Sequence, residues 1–219
     1  MKKFYVYVII SLFMVMQTYA EKNPLLSAFT TPYGVPPFEQ IKSSDYLPAV
    51  KEAIEIHNKE INAIIEDKDA PTFENTIESL EYSGDLLNQI ATVFFNLNSA
   101  NTNDEIQAAA KEIAPMLSKH NDEILQNPQL FAKVKAVYDK RESLNLNTEQ
   151  YRLLDKTYKA FIKSGANLDE QKKSRLAEIN QRLSVLELKF AENVLAETNN
   201  FKLVLEKKKD LAGLPKDFI

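Results

Sequence analysis

Cysteine is absent from the 219 residues, and so is tryptophan. Without cysteine there are no disulfides, no thiolate zinc ligands, no cysteine nucleophile and no lipidated N-terminal cysteine. Only two histidines occur, His57 and His120. A zinc site needs three or four ligands, so the imidazoles alone fall short of one. No His-Glu-x-x-His run, Gly-x-Ser-x-Gly elbow, phosphate-binding loop or glycine-rich dinucleotide turn is present. Glycine is scarce, with four in the chain, which disfavours a turn-rich β architecture. Basic residues are interspersed with acidic ones and the net charge is −4, leaving no stripe for a phosphate backbone. Nucleic acid is therefore not an expected partner. The single basic run, Lys207-Lys208-Lys209, is bracketed by Glu206 and Asp210 and reads as a solvated turn.

What is present is a globular composition, 44% hydrophobic and 26% charged, rich in helix formers. The first twenty residues read as an address. Met1-Lys2-Lys3 is a positive start, Phe4 to Met16 is apolar but for Ser11, and Thr18-Tyr19-Ala20 places small residues where a leader is cut. This predicts a signal peptide over 1–20, secretion (for a bacterial chain, to the periplasm) and no stable membrane span after cleavage, since the apolar run is shorter than the ~20 residues a span needs. Prolines 24, 32, 36 and 37 then predict an extended arm over 21–43.

Helical periodicity follows, giving a mainly all-α expectation with a helical domain over 44–200. Leu47, Val50, Ile54, His57, Ile61 and Ile64 form one stripe, starting near Ser44 or Asp45. Thr72 is placed to cap a second helix, in which Gly84 is an interruption that suggests close packing by another backbone. Asn96 to Asn103 reads as a turn. A third helix spans 104–125 with Pro115 inside it; Asn127-Pro128 and Asn147-Thr148 open two more. Gly165 closes one helix and Asn167-Leu168-Asp169 opens the longest. Its seam is Leu176, Ile179, Leu183, Leu186, Phe190 and Val194, widened by Val185, Leu188 and Leu195, and a face this wide predicts more than one neighbour. Phe201 to Leu205 alternates imperfectly and suggests a short strand, the start of a further subdomain over 201–219 that is cut short.

Both histidines lie on the apolar stripes of their helices, each followed three residues later by an acid, Glu60 and Glu123. They read as interface histidines that hydrogen-bond between helices. No residue is assigned a catalytic, metal or cofactor role. The residues alone reach a secreted helical domain.

Specific runs add to this. Tyr33-Gly34-Val35-Pro36-Pro37-Phe38, Asp45-Tyr46-Leu47-Pro48-Ala49, Pro71-Thr72-Phe73-Glu74-Asn75-Thr76, Leu80-Glu81-Tyr82-Ser83-Gly84, Asn127-Pro128-Gln129-Leu130-Phe131 and Phe190-Ala191-Glu192-Asn193-Val194-Leu195 occur in an order that resembles the N-terminal region of the M3 family of zinc metallopeptidases, in its peptidyl-dipeptidase branch. The resemblance implies the antiparallel helical N-terminal half of a clamshell peptidase facing a deep channel. It implies zinc in the full-length enzyme, oligopeptide substrates, and a C-terminal catalytic half as the missing partner. The family's His-Glu-x-x-His helix would lie beyond the equivalent of Ile219, so no zinc is expected on this chain and inactivity alone is expected. The competing expectation is a stand-alone helical module that binds peptides or a protein.

Overall fold

The computed structural model describes residues 23–218. The signal-peptide reading over 1–20 lies outside the described residues. Helices carry the fold: α1 Tyr46–Glu66, the short α2 Ser79–Tyr82, α3 Asp85–Ala100, α4 Asp104–Leu125, α5 Pro128–Asp139, α6 Thr148–Lys163 and α7 Glu170–Asn200. Among the described residues there is no strand, and no helix is long and apolar enough to cross a membrane.

Most helix starts are chemical signals that the backbone obeys. Thr72 Oγ1 accepts from Asn75 N while Asn75 Oδ1 accepts from Thr72 N, a reciprocal capping box. It opens the π-helical turn Phe73–Glu78 that leads into α2. Asn103 Oδ1 accepts from Ile106 N at α4, Asn127 Oδ1 from Leu130 N at α5, and Asp169 Oδ1 from Lys172 N at α7. Asn147 and Gln150 form a second box at α6.

The core is in two parts, and α1 runs through both. Its first half places Tyr46, Ala49, Val50 and Ala53 against Leu87, Ile90 and Phe94 of α3 and Ile106, Ala110 and Ile113 of α4. Its second half places Ile61 and Ile64 against Phe73, Ile77, Leu130, Val134, Val137, Leu154 and Phe161. His57 falls between the two halves, and so does the break between α2 and α3.

Four expectations are corrected. Residues 201–205 form no strand. Phe201 is 76% exposed and the segment has no partner strand, so nothing satisfies a ladder. The turn read over Asn96 to Asn103 is mostly helix, because α3 continues to Ala100 with Leu97 packed on the first core. The proline-rich arm is not simply extended. It makes 3₁₀ turns at Pro24–Leu26 and Pro32–Gly34, buries Leu25 completely, and is tied down by Asn23 Nδ2 donating to Asp45 O at 2.7 Å. The fourth correction concerns α7. Its leucine seam is not its buried side. The helix meets α4 through a more polar face: Asn180 Nδ2 donates to Asp122 Oδ1 at 2.8 Å, and Lys111 pairs with Glu192 at 3.2 Å. Leu188 reaches the first core, while Ile179, Leu183, Leu186 and Val194 stay exposed and Phe190 is 71% exposed. With α4 engaged by the polar face, the seam is left in solvent.

Candidate functional site

The polar centre of the domain is where α1, α4 and the α2–α3 break meet. The break follows from Gly84, whose φ of 76° is left-handed and is easily reached only without a Cβ. It splits what the periodicity suggests is one helix. The close approach is a side chain rather than a backbone: a Cβ built on Gly84 would lie 2.7 Å from His57 Cε1. Glu60, one turn on from His57, accepts from Gly84 N at 2.7 Å through Oε2. This places a carboxylate at the start of α3, where the helix dipole favours it.

His120 projects from α4 onto the same spot. His120 Nε2 lies 2.9 Å from His57 Nδ1, the rings meet edge to face at 4.9 Å, and His57 Nε2 lies 3.2 Å from Ser83 Oγ. The Ser83 hydroxyl donates to Leu80 O at 2.7 Å. That commitment fixes the direction of the whole chain of bonds, because a neutral imidazole has one N–H and one lone pair. His57 Nε2–H donates to Ser83, so His57 Nδ1 accepts from His120 Nε2–H. His120 Nδ1 is left as a buried lone pair with no hydrogen-bond partner among the described residues.

Both rings are pushed below the usual histidine range. For His57 the cause is burial, opposed by the Glu60 charge. For His120 it is burial, then the neighbouring His57, opposed by Glu123 and Glu55. His120 itself is only 5% exposed. An open cleft of about 590 Å³ between α1 and α4 is lined by Glu55, Met116, Lys119, His120 and Glu123.

Chemically this is a hydrogen-bond relay. Ser83 spends its proton on a carbonyl, so it is not poised as a nucleophile toward His57. Zinc does not fit these residues: among the described residues no three His, Cys, Asp or Glu side chains gather to hold a metal. The two histidines face each other, Glu60 is spent on a backbone amide, and Glu123 meets Lys119 at 3.6 Å. Ser83 was not legible as a partner of His57, since a separation of 26 positions carries no local signal.

Residues 50–173 match the family described as Neurolysin/Thimet oligopeptidase, N-terminal domain. The chain belongs to the neurolysin/thimet oligopeptidase family. Among its relatives, the dipeptidyl carboxypeptidase of Salmonella typhimurium is 38% identical over 192 residues, covering 88% of this chain and 28% of its own length. The Escherichia coli dipeptidyl carboxypeptidase is 37% identical over the same shares. Oligopeptidase A of Escherichia coli is 30% identical over 193 residues, again 88% of this chain and 28% of its own. The chain thus spans a little over a quarter of these relatives. The family match stops at residue 173, just inside α7, so nearly all of the helix with the bare seam lies beyond it.

Proposed function

We propose that this chain is the N-terminal part of a secreted, periplasmic zinc peptidase that releases dipeptides from the C-termini of oligopeptides. It is inactive alone. It supplies one wall of the substrate channel, and residues outside this chain hold the zinc and its catalytic base. Zinc in such an enzyme would activate a water for attack on the peptide carbonyl. The observation that carries the reading is the family match, together with the small share of the dipeptidyl carboxypeptidases that the chain covers.

The bare seam of α7 supports it. Ile179, Leu183, Leu186, Phe190 and Val194 form an apolar stripe of a kind that marks an interface. Its occupant is the catalytic part of the same enzyme, which lies C-terminal to the matched region in the relatives. The stripe favours this over a stand-alone module, which would keep such a surface covered.

The test is co-expression of the chain with the remainder of the Salmonella typhimurium relative, with zinc and a blocked oligopeptide. The expected result is co-elution of the two parts and release of a dipeptide, with Leu186→Asp and Phe190→Asp abolishing both. Separate elution with a well-folded chain, or co-elution untouched by those substitutions, would overturn the docking role.

A further inference from the structure

The two half-cores meet at a polar joint, and α1, α4 and the α2–α3 break all cross it there. His57 and His120 are its central pair. Above them lie Ala53 and Leu87; beyond them lie Ile61 and Ile77. Most helix interiors change from one apolar cluster to the next through apolar residues. Here the change runs through a chain of hydrogen bonds that depends on a proton count.

We infer that the His57–His120 pair is a proton-operated latch across the joint between the two half-cores, closed with no added proton or one, and open with two.

The direction of the bonds dictates this count. The first proton goes to His120 Nδ1, the one lone pair without a partner, and every bond from His120 through His57 to Ser83 survives. The second has only His57 Nδ1 to occupy. An N–H there would face the His120 Nε2–H across 2.9 Å, donor against donor, with two positive rings in contact. His57 must then leave Gly84, whose missing Cβ is the space the ring fills. Released from the ring, the left-handed break is free to change the angle between α2 and α3.

Lys51 and Glu52 of α1 line the same cleft as His120. Glu60 on α1 acts on His57; Glu55 on α1 and Glu123 on α4 act on His120. Lys119 sits beside Glu123, and Glu81 and Asp85 flank the break in solvent. Glu55 and Glu123 oppose the cost of burial for the first proton on His120, and Glu60 does so for His57. None of them hydrogen-bonds either ring, so none can replace the bond that the second proton breaks.

With only two histidines and no cysteine in the chain, both halves of the test are clean. Nitrogen-15 NMR of the imidazoles on the full chain reports tautomer and titration of each ring. Cysteines placed at exposed Glu105 on α4 and Lys156 on α6 carry spin labels that report the distance between the half-cores. At about pH 7 both rings are expected as Nε2–H tautomers, with a single label distance. As pH falls below the ordinary histidine range the rings titrate in two steps, and the second step coincides with a broadened distance and at least ~10-fold faster exchange of the Gly84 amide. His120→Gln keeps a donor toward His57 Nδ1 and can turn its carbonyl there instead, so it should abolish the opening without unfolding the chain. Opening at an unchanged pH in His120→Gln, titration of both rings with no change in distance or exchange, or a His57 Nδ1–H tautomer at neutral pH would each overturn the latch.

Discussion

Asp122 Oδ1 accepts a 2.8 Å hydrogen bond from Asn180 Nδ2, the buried polar tie between α4 and α7. The second carboxylate oxygen, Oδ2, is buried with no hydrogen-bond partner among the described residues. Burial pushes the Asp122 carboxyl above its ordinary range, and the Asn180 bond opposes this. The sign follows. Raised in the folded state, the group holds its proton longer there than in the unfolded chain. Its contribution is most favourable at acid pH and declines as pH rises from about 3.9 through the folded value. Asp122→Asn keeps an acceptor for Asn180 and removes the charge. Thermal melts at pH 7 should show it no less stable than the parent, whereas Asp122→Ala loses about 1–3 kcal/mol. Equal damage by both would contradict the burial argument.

The histidine pair has the opposite sign. Both rings are lowered in the folded state, by burial first. Their unfolded counterparts take up protons near pH 6.5, so stability is full above that and declines as pH falls below it, until the folded rings protonate in turn. Urea unfolding measured across that range should show the decline in the parent. It should be much reduced in His57→Gln/His120→Gln.

Gly84→Ala combines two penalties. A left-handed alanine costs about 1–2 kcal/mol, and its Cβ meets the His57 ring at 2.7 Å. In a His57→Ala background only the first remains. A double-mutant cycle read by urea unfolding should therefore show the double variant losing at least ~1 kcal/mol less than the sum of the two single losses; additivity would mean that the ring moves aside without cost.

Ile113 and Leu130 are fully buried, one in each half-core, whereas Phe190 is 71% exposed. Ile113→Ala and Leu130→Ala should each cost about 2–5 kcal/mol. Phe190→Ser should leave the melting temperature nearly unchanged and lower light scattering at high protein concentration. A large stability loss at Phe190 would mean that the seam of α7 is covered within the chain.

These contrasts mark what was legible in the residues. Local rules carried far: α4 spans 104–125 as its stripe and Asn103 cap require, and Thr72, Asn147 and Asp169 each cap the helix they precede. Non-local facts did not. A wide apolar seam says that α7 packs against something, but not that Ser184 and Asn180, rather than Leu183 and Leu186, turn toward α4. Gly84 signals a close approach, but a glycine cannot say whether backbone or imidazole comes near. The pairing of His57 with His120 is a contact across 63 residues. Each histidine was placed on its stripe by spacing; only the crossing of α1 and α4 brings them together. Phe201 to Leu205 alternates as strands do, yet alternation without a neighbour has no ladder to join.

This chain carries a peptidase family's N-terminal domain, and the proposal is that it is inactive alone. That inactivity is tested most directly by incubating the purified chain with equimolar zinc and an oligopeptide blocked at its N-terminus, and measuring dipeptide release by mass spectrometry. The account predicts no release above a protein-free blank, and the same for His57→Ala and His120→Ala. Zinc-dependent release by the parent chain that disappears in His57→Ala would contradict it.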